Sequence, residues 1–291
     1  MSFYVNNTEL NAINFNGEQV KSVYYNNRFV WGMKPWKGWN NATWADLYDL
    51  CQAKQKGVTD WPADVVLGKT KTLNFTSPFD GKTTKADFMI IGLDIDAPGT
   101  MTFHSKNTIG SPVVHLTGVD NYGQFGTAAE ACEEFYEKCG IQDYIRTVRK
   151  GTCETRNSSR QAPVVYKDYK IWLPSEFEMG MDKFSTRSVA WSAPTNAETT
   201  YGVNVPYPYY YDISIFGTSK YSPRINKGAD TEFWTNGFNG LTPYWTRSLS
   251  YLAEDEAVLI GQKTGMYFPE DVPESGYINA ENFFAPAFVI G

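Results

Sequence analysis

Apolar and polar positions along this chain change period several times, and each change marks an element. From Thr43 to Gln55 the residues Trp44, Leu47, Leu50 and Cys51 recur at helical spacing behind a Thr43-x-x-Asp46 capping box, with Gly57 just past the end. A second helix is expected from Thr127 to Cys139, where Ala128, Ala131, Cys132, Phe135, Tyr136 and Cys139 share one face behind Thr127-x-x-Glu130. Ile141 to Val148 reads as a further short amphipathic turn or two. Residues 71–76 alternate as a strand, and the apolar run from Phe88 to Asp96 suits a central one. Tyr169 to Leu173 is strand-like, and the final FFAPAFVIG reads as a closing strand that pins the C-terminus into the core.

The first 32 residues follow a different rule. Asn6-Asn7, Asn16-Gly17 and Asn26-Asn27 each sit between β-prone residues, and Asn and Gly tolerate the positive φ of tight hairpin turns. This predicts a small β-meander, joined through Met33, Lys34 and Pro35 to the rest. So short a unit buries little by itself and should lean on something larger. The expected organisation is therefore an N-terminal β arm over 1–35 and a loop-rich globular domain over 36–291. The fold class is α+β, with two or three helices packed on a mixed or antiparallel sheet. No internal repeat is visible.

Composition sharpens this picture in two places. Aromatic residues make up 16% of the 291 positions, a surplus that suits surfaces both sticky and wet. The net charge of -6 is concentrated at the end: residues 228–291 hold nine acids against Arg247 and Lys263, which leaves about +1 on the remainder. No basic stripe is available to displace counterions from phosphates, so nucleic acid is not an expected partner. The opening MSFYVNNTEL has neither the basic stretch nor the apolar run of a signal peptide, and no window reaches the ~18 apolar residues of a membrane span. A protein made in the cytosol, with no membrane partner, is the expectation. Cys51, Cys132, Cys139 and Cys153 form no disulfide framework; Cys132 and Cys139 stand about 10.5 Å apart on a helix, and all four read as buried thiols.

Candidate chemistry is sparse. Residues 63–70 fit the loose phosphate-loop pattern, but Val65, Val66 and Leu67 are too bulky for it and a strand follows where a helix is required. Asp94-Ile-Asp96 opens like a calcium loop, yet Pro98 and Ser105 occupy positions that need ligands; a calcium site of another kind on Asp94, Asp96 or the acidic C-terminus stays open. With His104 and His115 as its histidines the chain offers no zinc set, and no nucleophile elbow is present. Glu176 with Glu178 is an acid pair of little specificity. No catalytic residue, metal or cofactor is expected. The binding candidates are six aromatic residues and one arginine: Tyr207, Tyr209, Tyr210, Tyr211, Trp234, Trp245 and Arg247. Of these the tyrosine run has the best claim to exposure, while Trp245 and Arg247 read better as loop-tying core residues. On the arm, Tyr24, Tyr25, Phe29 and Trp31 are the assembly candidates.

Leu173-Pro174-Ser175-Glu176 with Glu178 and Gly180, Trp245 with Arg247 and Ser248, and Pro286-Ala287-Phe288 together make a recognisable set. Over residues 36–291 the chain resembles a domain family of unassigned function that recurs in phages and prophages of gut bacteria. The order of the pieces is also similar to the C-type-lectin-like folds of variable phage receptor-binding proteins. That family often carries a His before the Asp ending the central strand, whereas this chain has Ile95-Asp96. The N-terminal segment is similar to leaders of phage structural proteins. The resemblance implies a non-enzymatic virion component, a tail or head fibre part or a capsid decoration, assembled in the bacterial cytoplasm. Its implied partners are other virion proteins through residues 1–35, a host surface glycan, and copies of itself. A purely structural subunit-binding role and a capsule-degrading enzyme are the alternatives.

Overall fold

A computed structural model describes residues 35–77, 81–113, 128–153, 164–175, 178–179, 207–210, 244–249, 257–260 and 282–291, together with the six short strands of the arm. The arm strands are β1 (Phe3–Val5), β2 (Thr8–Leu10), β3 (Ile13–Phe15), β4 (Glu18–Val20), β5 (Ser22–Tyr25) and β6 (Arg28–Gly32). They pair as β1 with β2, β3 with β4 and β5 with β6, closing on Val5 with Thr8, Phe15 with Glu18 and Tyr25 with Arg28. These pairs flank the three Asn-bearing positions expected to turn, which themselves lie outside the described residues. A continuous meander does not form among these strands: each pair is a two-stranded sheet of its own. Lys21 alone separates β4 from β5, one residue short of the tightest common hairpin loop.

The rest of the chain is α+β. Helix α1 spans Trp44–Gln55 and carries the expected capping box: Asp46 N–H donates to Thr43 Oγ1 while Thr43 N–H donates to Asp46 Oδ2. Strands β7 (Thr70–Thr76), β8 (Thr83–Leu93), β9 (Met101–Ser105) and β10 (Ile109–Val113) follow, then helix α2 (Ala128–Lys138). The stretch expected to hold further helical turns has one 3-10 turn (Gln142–Tyr144) and then extends into β11 (Ile145–Arg146) and β12 (Val148–Cys153). β13 (Val164–Tyr169), β14 (Ile171–Trp172), β15 (Tyr244–Leu249), β16 (Ala257–Ile260), β17 (Asn282–Phe284) and β18 (Ala287–Ile290) complete the described elements.

The main sheet runs β11-β18-β9-β8-β7, antiparallel throughout, with β14 also on β18. β12 and β13 form a hairpin, and β10, β17, β15 and β16 form a second sheet whose β15–β17 pairing is parallel. The C-terminal strand is thus interior to the main sheet. Alternation along its strands sorts two cores. Phe88 and Ile90 of β8, Met101 and Phe103 of β9, and Phe288 and Ile290 of β18 face the helices, where they meet Leu47, Leu50 and Cys51 of α1 and Ala131, Cys132 and Phe135 of α2. Met89, Ile91, Ala287 and Val289 face the other way, against Val148, Trp172, Tyr207 and Tyr210. The phosphate-loop lookalike behaves as its composition requires: Val65 is buried, Gly68 has a φ of +82°, and a strand rather than a helix follows. Among the described residues no helix is long and apolar enough to cross a membrane.

Candidate functional site

The sheet face turned away from the helices carries polar side chains at the same alternating positions as its apolar ones. Thr102 and His104 of β9 lie opposite in direction to Met101 and Phe103, and both are fully buried. Sequence reasoning missed this pair because MTFHS is short and its alternation mixes apolar with polar residues on each side.

β8 ends at Leu93, three residues before the expected limit, because Asp94 adopts a φ of 59° and begins a turn. Asp94 accepts from Gly99 N–H at 2.6 Å and from Trp61 Nε1–H at 2.7 Å. The turn swings Asp96 under the sheet, where its carboxylate accepts from Thr102 Oγ1–H at 2.5 Å and from Tyr207 Oη–H at 3.0 and 3.1 Å. Both aspartates are thus engaged by donors. Among the described residues no group of three or more His, Cys, Asp or Glu side chains is gathered so as to hold a metal ion.

Asp96 meets a cation there. Lys150 Nζ lies 2.5 Å from Asp96 Oδ1 and 2.8 Å from Glu178 Oε1, with the Lys150, Asp96 and Glu178 side chains 1%, 4% and 0% exposed. Lys150 also donates to Tyr207 Oη at 2.8 Å, and the rings of Trp172 and Tyr207 stand 4.8 and 5.2 Å from its nitrogen. Lys150 reaches this interior position because β12 alternates: Val148 and Lys150 point inward while Arg149 is exposed. That register was illegible while residues 141–148 read as helical.

Glu178 is held by a local turn. Ser175 N–H donates to Glu178 Oε2 at 2.9 Å, Glu178 N–H donates to Ser175 Oγ at 3.1 Å, and Met179 N–H reaches Ser175 O. This is a capping box on a single turn, and the Ser175-x-x-Glu178 spacing was its signal in the sequence. Of the acid pair Glu176 and Glu178, Glu178 is thus committed to the interior, while Glu176 lies outside the described residues.

The tyrosines correct the expectation of exposure. Tyr207 and Tyr210 are fully buried, and Tyr209 is half-buried against the same core. Two glycines make room for them: a Cβ on Gly92 would come within 3.0 Å of Tyr207 Cδ1, and one on Gly68 within 3.0 Å of Tyr209 Cε2. Tyr207 N–H donates to Glu178 O and Tyr209 N–H to Ile91 O, so the short turn packs as a plug against β8. The physical reason is that each buried phenol finds an interior hydrogen-bond partner, Asp96 for Tyr207 and His104 for Tyr210, which removes the need for water. Tyr211 and Trp234 lie outside the described residues. Trp245 and Arg247 fall on β15, Tyr24 and Tyr25 on β5, and Phe29 and Trp31 on β6; the orientations of these side chains also lie outside the described part.

The cysteines are placed in the core on the helix side. Cys51, Cys132 and Cys139 are free and buried, and burial pushes the Cys51 thiol up to about 12 and the other two above their ordinary value. A buried neutral thiol is a small apolar filler and not a nucleophile. Cys153 ends β12, and its side chain is outside the described part.

The start of the globular domain is tied separately. Asp64 accepts from Trp36 Nε1–H at 2.8 Å and from Trp39 N–H at 2.7 Å, and the Trp39 backbone bond holds its carboxyl below the ordinary range. Set beside family models, curated proteins and solved structures, the chain matches none.

Proposed function

We propose that this chain is a structural component of a bacteriophage particle, attached through its N-terminal arm and displaying a lectin-like domain toward the host surface. One observation carries the reading. Six strands over 32 residues form three hairpins, none of which shares a ladder with the main sheets or with its neighbours among the described residues. Isolated two-stranded hairpins are marginal in water, so a segment devoted to them needs another surface to settle on. The resemblance over 36–291 to a phage and prophage family, and that of the leader to phage structural proteins, support a phage particle as that surface.

Direct contact with host glycans is the finer part of the proposal. It rests on the aromatic surplus and now on fewer residues, since Tyr207 and Tyr210 are core side chains. A second reading within the same class has the chain join neighbouring subunits and read no sugar, and the two buried tyrosines support neither reading.

Density-gradient purification of particles from a lysate, followed by quantitative mass spectrometry, tests the proposal. The chain is expected in the particle band at fixed stoichiometry to the capsid protein. Recovery solely as free protein in the supernatant overturns it. A glycan array then separates the two finer readings.

A further inference from the structure

The cluster of Lys150, Asp96 and Glu178 has a feature that a stabilising ion pair does not need. A primary amine, a carboxyl carbon and a second carboxylate are brought together in one dry site, with hydroxyl donors fixed on the first carboxylate. Lys150 Nζ is 2.5 Å from Asp96 Oδ1. Since a carbonyl carbon lies about 1.2 Å from its oxygen, Nζ is within about 3.7 Å of Asp96 Cγ, close to the ~3–3.5 Å of a near-attack geometry. Asp96 Oδ2 accepts from Thr102 Oγ1–H at 2.5 Å and Tyr207 Oη–H at 3.0 Å, so charge building on that oxygen during addition meets two donors already in place. Glu178 Oε1, 2.8 Å from Nζ, is placed to carry protons.

We propose that Lys150 and Asp96 become joined by an intramolecular amide between Nζ and Cγ, formed by the folded chain itself with Glu178 as proton carrier. The balance is simple. The Lys150 ammonium gives one proton through Glu178 to Asp96 Oδ1, the freed amine adds to Cγ, and a second nitrogen proton follows the same route. Oδ1 leaves as water, so one N–C bond forms, one C–O bond breaks and nothing is oxidised or reduced. The product nitrogen keeps one hydrogen as a neutral amide.

Two arguments favour reaction over a persistent ion pair, and a third selects the acceptor. Burying an ammonium with two carboxylates carries a desolvation cost that direct attraction does not reliably repay, and the amide removes two of those charges. The rings of Trp172 and Tyr207, 4.8 and 5.2 Å from Nζ, wall the site, so water is excluded from both the amine and the product. Asp96 is the acceptor because two side-chain hydroxyls donate to it and its Oδ1 stands nearer to Nζ, at 2.5 Å against 2.8 Å for Glu178 Oε1. The bond would clamp the turn after β8 to β12, across 54 residues of chain. This inference is independent of the virion reading, since the reaction needs the fold and nothing else.

The test uses the full-length protein, expressed, purified and denatured. Its intact mass is expected to fall below the sequence mass by one water. Trypsin is expected to spare the bond after Lys150, and tandem mass spectrometry to find a branched peptide joining Lys150 to Asp96. Glu178→Gln, which keeps the side chain's shape, is expected at the full mass with an unchanged circular dichroism spectrum. Wild-type protein at the full sequence mass, with cleavage after Lys150, overturns the proposal. So does a water loss that maps elsewhere, such as to Asp80-Gly81, or a branch that ends on Glu178. A branch that persists in Glu178→Gln removes Glu178 from the proton-carrying role.

Discussion

Tyr210 Oη lies 2.5 Å from His104 Nδ1, joining residues 106 positions apart beneath the main sheet. His104 Nε2 faces the carbonyl of Ala285 at 3.0 Å, so Nε2 carries the hydrogen and Nδ1 accepts from the tyrosine. The bond ties a turn near residue 210 to β9 and to the segment that leads into β18. Removing it with Tyr210→Phe keeps the ring and loses the hydroxyl. The expected loss is about 1–2 kcal/mol of stability, read from urea denaturation; a change below the error of the melt would show that the bond is not formed.

The room made for Tyr207 by Gly92 gives a steric test. Gly92→Ala places a methyl group 3.0 Å from Tyr207 Cδ1 and 3.0 Å from Ile95 Cγ1, inside ordinary contact. Overpacking of this kind costs about 1–3 kcal/mol. The expected result is a lower melting temperature together with a changed near-ultraviolet signal from the displaced tyrosine.

Phe288 tests the helix-side core. Its ring lies 5.0 Å from Phe88, 5.6 Å from Phe103 and 5.7 Å from Trp44, so it joins two strands and α1 at one point. Phe288→Ala is expected to cost about 3–5 kcal/mol. Loss of the cooperative transition, or its shift to far lower urea, is the measurement.

The cap of α1 predicts a pH dependence. Partial burial raises the Asp46 carboxyl, but the Thr43 backbone amide, Lys37 and the Thr43 hydroxyl outweigh it and hold Asp46 at about 2, below its ordinary 3.8. A carboxyl depressed in the folded state adds stability that is present above about 3.8 and lost as pH falls through about 2. Lys37 is half-exposed and screened, so the expected contribution is about 1 kcal/mol. Urea melts of wild type and Asp46→Asn should differ by that amount at neutral pH, and the difference should shrink as the pH drops below about 4.

The buried thiols predict chemical silence. With Cys51 pushed up to about 12, and Cys132 and Cys139 also raised by burial, none of the three supplies thiolate in the folded state. Peptide mapping after alkylation should find all three unmodified in native protein and modified in urea. Rapid labelling of any one without urea contradicts the packing around it.

How much of this was legible in the sequence depended on whether the information was local. The capping box on α1 and the spacing of α2 are decided by neighbours, and both helices fall where they are read. The end of β8 was misplaced because Asp94 adopts a left-handed conformation set by a turn that closes on Gly99 and Trp61. The tyrosines were misassigned for a related reason. Polar tips suggested a wet surface, but the partners that let Tyr207 and Tyr210 go inside, Asp96 and His104, are more than a hundred residues away. Lys150 is illegible in the sequence because its burial follows from the register of β12, which begins at Val148, the last residue of the stretch read as helical. Ser175 and Glu178 carried a readable capping box, yet nothing nearby in the chain announces a lysine opposite them.

The proposed role requires the three hairpins of residues 1–32 to seat the chain on a larger assembly. Electron cryomicroscopy of the purified particle tests it most directly. Density is expected for the hairpins against a different subunit, with the globular domain projecting beyond them. A particle map with no such density, or one in which the arm folds back on its own domain and touches no other chain, would contradict it.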